Sequence, residues 1–340
     1  MSIGFGVIGC GAIGAWHCIA INDASGAHLV GVADAFHASA LKFSERFGVP
    51  AYDSVDAMLA DPKIDCVTIC TPSGLHADLT VRAAEAGKHV LVEKPMALTC
   101  EDADRIIEAA DKNHVKVGVV FQARMKDSTK ILKGLVDSGK LGKIITADVF
   151  MKYYRSPEYY LQGGWRGTWK MDGGGALMNQ GIHSVDLLRY LAGPVKSVYG
   201  IARTLDRKIE VEDTVVSAVE FQSGALGLIQ ATTAIYPGYS RRLSISGTTG
   251  TVTISDDYFV EWDIKDYPKP DEITLGVPTD SGASDPMNFS TKGHQDQIED
   301  MVDAIVNDHD PMVTAREGRK AIELIRAVYE SSQKGSRLDF

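Results

Sequence analysis

The sequence predicts an α/β protein whose first part is a doubly wound parallel sheet, and three observations carry the prediction. A short apolar run, Ile3 to Ile8, passes through a glycine-rich turn into Ala15-Trp16-His17-Cys18-Ile19-Ala20-Ile21, whose apolar spacing suits a helix. From there to Phe121, strand-like runs alternate with helical ones, which implies parallel pairing with right-handed crossovers. The second half differs: pairs of short strand-like runs flank turn residues, as expected for hairpins.

The turn Gly9-Cys10-Gly11-Ala12-Ile13-Gly14 sits where a strand becomes a helix. Gly9 permits the tight turn, Gly11 lets the backbone approach a pyrophosphate, and Gly14 lets helix and strand pack closely, with the phosphates facing the helix N-terminus at Ala12 and Ile13. In a chain with 33 glycines such a motif is weak alone. The second strand, Leu29 to Ala33, strengthens it by ending in Asp34, about 20 residues on, where a ribose-binding carboxylate is required. Ala35-Phe36-His37 follow without an arginine, so NAD is expected over NADP.

The next elements follow in order. A helix over Ala38 to Phe47 stops at Gly48-Val49-Pro50, and a short one covers Ser54 to Leu59. The apolar run Cys66 to Thr71 closes at Thr71-Pro72, and a helix over Leu75 to Ala86 leads to strand His89 to Val92, ending in Glu93-Lys94-Pro95. Helix Cys100 to Asn113 precedes strand Val115 to Phe121, ending in Gln122. Ligands of such sheets lie outside the carboxyl ends of the strands, so Gly9, Asp34, Thr71-Pro72, Glu93-Lys94-Pro95 and Gln122 converge on one crevice. Cys66 and Cys70 lie on one strand, their Cα atoms some ~13 Å apart, too far for one zinc, and no metal is expected.

At 340 residues the chain suits two domains. A formal charge of −10 opposes nucleic-acid and anionic-membrane surfaces. No secretory signal or membrane-spanning run is read, and five cysteines in the first hundred residues make no disulfide framework, so a cytoplasmic location is expected.

In the second half, a helix over Ala176 to Leu191 stops at Gly193-Pro194. Val215 to Phe221 and Ala225 to Thr232 flank Ser223-Gly224 as one hairpin, and Leu243 to Ser246 with Val252 to Ile254 flank Gly247-Thr248-Thr249-Gly250 as another. Tyr267 to Ser290 reads as loop, and His294 to Val306 and Arg316 to Ser332 as helices.

The glycine turn, Thr71-Pro72 with His76, Glu93-Lys94-Pro95, and Gly173-Gly174-Gly175-Ala176 with Asn179 and His183 resemble the glucose-fructose oxidoreductase, inositol dehydrogenase and rhizopine catabolism (Gfo/Idh/MocA) family nearly end to end. The resemblance implies an NAD-binding Rossmann domain over residues 1–123. Residues 124–340 would form a substrate-binding and oligomerising α/β domain with an open, mainly antiparallel sheet, giving a homodimer or homotetramer. It adds Thr71, Pro72, His76, Glu93, Lys94 and Gln122 to the cofactor set and implies a cis bond before Pro95. Family members commonly carry aspartate where this chain has Asn179.

Oxidising a secondary alcohol needs a hydride acceptor and a base in a positioned, water-poor site. Lys94 stands at a strand end, its backbone restricted by Pro95. His183 is the readier proton acceptor, since a histidine near 6.5 needs little tuning and a lysine near 10.4 needs several units. Asn179, four residues earlier on the same helical face, could orient the ring. Tyr153, Tyr154, Tyr159, Tyr160, Trp165, Arg166 and Trp169 cluster before the glycine run. Most suit loop packing, while Tyr153, Trp165 and Arg166 also suit a sugar ring and match the family's substrate pocket. Arg124, with Gln122, stands at the mouth of the last strand as a further substrate contact. His294, Arg241 and Arg242 suit an anionic substrate or plain solvation. The leading reading is an NAD-dependent dehydrogenase acting on a sugar, sugar derivative or cyclitol. The alternatives are an NAD-dependent glycosidase of the same family and a non-catalytic NAD sensor.

Overall fold

The computed structural model describes residues 2–161, 164–276, 283 and 291–340. They form two compact units, Met1–Gln122 with Ser290–Lys320, and Ala123–Phe289 with Ala321–Phe340. Residues 291–320 thus pack with the first unit although they follow the second in the chain.

In the first unit β1 (Ile3–Ile8), α1 (Ala12–Asp23), β2 (Ala27–Ala33), α2 (His37–Phe47), α3 (Val55–Leu59), β3 (Cys66–Ile69), α4 (His76–Glu85), β4 (His89–Val92), α5 (Cys100–Asn113) and β5 (Val117–Val119) follow one another. The strands make one parallel sheet in the order β2-β1-β3-β4-β5. Order reverses between β1 and β3, so the crevice of this sheet opens at the carboxyl end of β1. Strands β1 and β3 are buried throughout, which is why they read as unbroken apolar runs. Local chemistry sets the helix ends: Ser54 and Thr99 accept backbone amides at the starts of α3 and α5, and α2 ends at Gly48 with φ 69°. β5 is shorter than expected because the chain turns after Val119. The Val119 amide donates to Val313, and Gly118 bridges antiparallel to Thr314, so the returning segment lies along this strand.

The second unit holds α6 (Asp127–Asp137), β6 (Ile144–Tyr154), α7 (Pro157–Leu161), α8 (Ile182–Ala192), β7 (Val195–Arg203), β8 (Thr214–Phe221), β9 (Leu226–Thr232), β10 (Ala234–Gly247), β11 (Gly250–Ser255) and β12 (Tyr258–Ile264). Helix α9 (Lys292–Val306) belongs to the first unit; α10 (Ala315–Lys334) and β13 (Leu338–Asp339) complete the chain. The eight-stranded sheet runs β12-β11-β10-β6-β9-β8-β7-β13, and only β6 and β9 pair in parallel. The hairpin at Ser223-Gly224 joins β8 to β9, with Gly224 at φ 85°, and Gly247 to Gly250 joins β10 to β11. Helix α8 packs on β6 and β10, and α8 ends at Gly193 with φ 92°. Within β8, Val215, Ser217, Val219 and Phe221 are buried while Val216 and Ala218 are exposed. On that exposed side Tyr199 aligns with Ala218 and Leu228, and Ile201 with Val216. Of the expected 267–290 loop, 267–276 holds only a bridge from Leu275 to Phe259; most of the remainder lies outside the described residues. No described helix is long and apolar enough to cross a membrane.

Candidate active site

The glycine turn is built by close approach. Gly9 has φ 105°, and a Cβ there would stand 2.7 Å from the Cys70 carbonyl at the end of β3. A Cβ on Gly14 would meet the Gly9 carbonyl oxygen at 2.0 Å, so only glycine lets α1 pack against β1. Gly11 is the opposite case: it is exposed, and a Cβ would meet nothing within 4 Å. No side chain caps α1, and no acidic residue stands in its first turn, so the amides at Ala12 and Ile13 face open space with the positive end of the helix dipole behind them. That is a cradle for a diphosphate. Asp34, at the end of β2, accepts the Cys10 amide at 2.7 Å and the Phe36 amide at 2.8 Å, which holds its carboxylate beside the turn. The residues present therefore fit an NAD-type dinucleotide.

The other strand ends are braced against each other. His76 is buried, with Nδ1 2.7 Å from the Pro95 carbonyl and Nε2 2.8 Å from that of Thr71. Burial lowers the pKa of this ring, the two carbonyls pulling the other way. A neutral ring has one N–H, so one of the two contacts is a hydrogen bond and the other a close approach. The brace fixes Thr71-Pro72 beside the Lys94-Pro95 bond, which is cis. Glu93 is buried at the end of β4 and Lys94 half-buried. Glu93 accepts from His17 of α1 at 3.0 Å, with His294 of α9 at 3.5 Å. Burial alone would raise the Glu93 carboxyl, but these two imidazoles more than offset it and hold it well below the usual carboxylate range. Gln122 lies half-buried under Gly293, whose Cβ would come within 3.0 Å of it.

In the second unit the glycine run is held by a residue that sequence reasoning did not single out. Glu212 accepts the amides of Gly175 and Leu177, both at 2.8 Å, and the Tyr329 hydroxyl at 2.9 Å. Burial pushes this carboxyl up to about 7 against those donors. A Cβ on Gly175 would stand 1.7 Å from the Glu212 carbonyl oxygen, and one on Gly174 2.3 Å from the Tyr329 hydroxyl. Ala176 to Leu191 is accordingly not one α-helix. Ala176–Gln180 form a single π turn, closed by the Gly181 amide on Ala176 at 2.8 Å, before α8 begins. Asn179 lies on that turn and half-buried His183 in the first turn of α8.

The Asn179 amide nitrogen donates to buried Asp172 at 2.5 Å, and Asp172 also accepts the Gly167 amide. Asp172 thus places a carboxylate directly beside Asn179. Arginines stack on the aromatic cluster: Arg166 lies 4.5 Å from the Tyr159 ring and 5.3 Å from Trp165, and Arg155 5.4 Å from Tyr153. Gln180 reaches the Tyr159 hydroxyl at 3.1 Å, and Tyr160 bonds Thr233 at 2.7 Å. Arg124 is buried, its guanidinium bonded to Asp186 of α8 at 2.8 and 2.5 Å and set over the Tyr190 ring, which ties it to α8. Arg242 pairs with Glu261, Arg241 stands 4.0 Å from Asp256, and His294 belongs to the Glu93 cluster. An acid shortly before the glycine run and another shortly before β8 were the available signals for Asp172 and Glu212. Neither has a spacing rule.

A dinucleotide cradle in the first unit, with a carboxylate-held histidine-bearing turn in the second, defines the class of NAD-dependent oxidoreductases. Residues 3–121 match the oxidoreductase family with an NAD-binding Rossmann fold, and 129–253 match the GFO/IDH/MocA C-terminal domain. The chain belongs to the Gfo/Idh/MocA oxidoreductase family. It is 31% identical to myo-inositol 2-dehydrogenase of Thermotoga maritima over 73% of each chain, and 27% identical to inositol 2-dehydrogenase of Rhizobium meliloti over 98% of this chain and 99% of that one. The structure of WlbA dehydrogenase from Bordetella pertussis in complex with NADH and UDP-GlcNAcA is 34% identical, with a TM-score of 0.89 over 100% of this chain and 98% of that one.

Proposed function

We propose that this enzyme oxidises a secondary hydroxyl of a sugar derivative with NAD, and that the sugar carries negative charge. The observation that carries the reading is the full-length likeness to a dehydrogenase solved with NADH and UDP-GlcNAcA. The cationic, aromatic lining around Tyr153, Tyr159, Trp165, Arg155 and Arg166 supports it, since a ring stacks on aromatic faces and an anion pairs with guanidinium.

A bound dinucleotide would supply the hydride acceptor; the turn residues Gly9, Gly11, Ala12, Ile13 and Gly14 would hold its diphosphate, and the Asp34 carboxylate would bind a ribose hydroxyl. Thr71, Pro72, His76, Glu93 and Gln122 complete that half. His183 takes the hydroxyl proton as the hydride leaves, and Lys94 holds the substrate oxygen and stabilises its developing negative charge. Asn179 keeps the His183 turn in place through Asp172.

The test is NADH formation with UDP-GlcNAcA, myo-inositol and uncharged monosaccharides in parallel. Turnover is expected with NAD above NADP and greatest on the charged sugar. Glycoside cleavage without NADH build-up would replace this reading with a redox-assisted glycosidase, and tight NAD retention without turnover would replace it with a sensor.

The working form in this reading is a homo-oligomer in the cytoplasm, where its five free cysteines stay reduced. The open sheet face, with Tyr199, Ile201, Val216, Leu226 and Leu228 exposed, is the surface a second copy would cover. Light scattering should give a dimer or tetramer; a monomer at micromolar concentration contradicts it.

A further inference from the structure

We infer that His17 and His294, acting through Glu93, are positioning residues for Lys94. Oε1 of Glu93 accepts Nε2 of His17 at 3.0 Å and lies 3.5 Å from Nε2 of His294, while Oε2 accepts the backbone amide of Lys94 at 3.1 Å. The three residues His17, His294 and Glu93 are 0%, 2% and 6% exposed, and come from α1, α9 and the end of β4. The two imidazoles meet edge to face at 5.3 Å, and Trp16 packs on His294 at 5.9 Å, so neither ring can turn freely. A lysine ammonium rides on a flexible four-carbon stem, and its placement depends on how firmly its backbone is held. Here the carboxylate that grips the Lys94 amide is itself gripped from two helices.

The same three side chains put their ligand atoms within 4.8 Å of one another, close enough for a divalent cation. The hydrogen-bonding pattern argues against one. A metal-bound histidine donates its other ring N–H to an acceptor, but Nδ1 of both His17 and His294 is buried with no partner among the described residues. Metal at the two Nε2 atoms would strand two N–H donors, and a closed zinc site needs a fourth ligand. With protons on Nε2, His17 donates to a charged acceptor, His294 stands 3.5 Å from the same oxygen, and only lone pairs are left bare on the two Nδ1 atoms.

The inference rests on the reading of Lys94 as an active-site residue, so Lys94→Met is the reference variant. It is compared with His294→Ala, His294→Gln and Glu93→Gln by thermal unfolding, NAD affinity from fluorescence quenching, the single-turnover rate of NADH formation, and metal content by mass spectrometry. We expect His294→Ala to bind NAD within about threefold of the parent while hydride transfer falls about tenfold to a hundredfold, the effect of displacing a reacting group by a fraction of an ångström to an ångström. His294→Gln, which returns an N–H donor toward Glu93, should recover most of that rate. If His294→Ala does not fold, the isosteric Glu93→Gln is compared with the parent by its single-turnover rate at saturating NAD, where a fall of about tenfold or more is expected. A rate within twofold of the parent, beside an inactive Lys94→Met, overturns the inference and leaves the proposed function standing. So does a parallel fall in stability and NAD affinity that glutamine does not rescue, or stoichiometric divalent metal that His294→Ala loses. A fully active Lys94→Met would take down both.

Discussion

Two buried glutamates hold the two halves of the proposed chemistry, and their surroundings differ. Glu93 sits under Lys94 between two imidazoles, and those partners keep its carboxyl well below its ordinary value despite burial. Glu212 sits under the turn leading to His183 with two backbone amides and a tyrosine hydroxyl, and there burial wins, pushing it up to about 7. Both accept several hydrogen bonds, so bond number does not decide the charge state; the two imidazoles beside Glu93 outweigh its burial, whereas the amides and the hydroxyl on Glu212 do not. One carboxylate is a fixed charge beside a lysine, and the other is a polar cap whose charge is costly.

The comparison breaks first at Glu93. Glu93→Ala strands buried donors on His17, on His294 and at the Lys94 amide, and should cost about 3 to 5 kcal/mol, the scale for removing one partner of a buried charge cluster. Denaturant unfolding measures it, and a loss below about 1 kcal/mol would mean that the cluster contributes little.

The two glutamates should also give stability slopes of opposite sign against pH. The folded pKa of Glu93 is depressed, so its contribution is present above the unfolded value and is lost as pH falls through the folded one. That of Glu212 is raised from 4.5 to about 7, so its contribution is full below 4.5 and is lost as pH rises through about 7, by up to about 3 kcal/mol. Glu212→Gln should remove that second slope while losing about 1 to 3 kcal/mol in acid, because the amide presents a donor to the Gly175 amide. Parallel slopes for variant and parent would show that Glu212 does not titrate in this window.

The smallest effect concerns Asn179. A second carboxylate in Asn179→Asp would face Asp172 across the present 2.5 Å bond, and two such groups share a proton. The acidic limb of kcat/KM for oxidation should move upward, but by less than a lone carboxylate would give, and Asp172→Asn in the same chain should restore the full shift. An identical shift with and without Asp172 would show that the two side chains are not coupled.

The legibility of this molecule in its sequence follows the range of its interactions. The first sheet was readable because its glycines, buried apolar strands and helix stops are local, and Gly9, Gly14 and Gly48 do what their types dictate. The hairpins at Gly224 and Gly247 to Gly250 were readable for the same reason. Strands β6, β7 and β12 were not, since their half-buried faces mix lysine, aspartate and glycine with apolar residues and lack turn signals as plain as Ser223-Gly224. The return of residues 290–320 to the first unit, the grip of Glu212 on Gly175 and the pairing of Arg124 with Asp186 join distant parts of the chain, and no spacing announces them. His17 was legible as a helical residue but not as a buried partner of Glu93.

The division of labour between His183 and Lys94 is tested most directly by the pH profile of kcat/KM for oxidation in His183→Ala and Lys94→Met, measured beside the parent enzyme. If His183 takes the proton and Lys94 holds the oxygen, both variants lose orders of magnitude in rate at unchanged NAD affinity, and the acidic limb disappears with His183 but survives in Lys94→Met. An acidic limb that persists without His183 and vanishes without Lys94 would contradict the account and make the lysine the base.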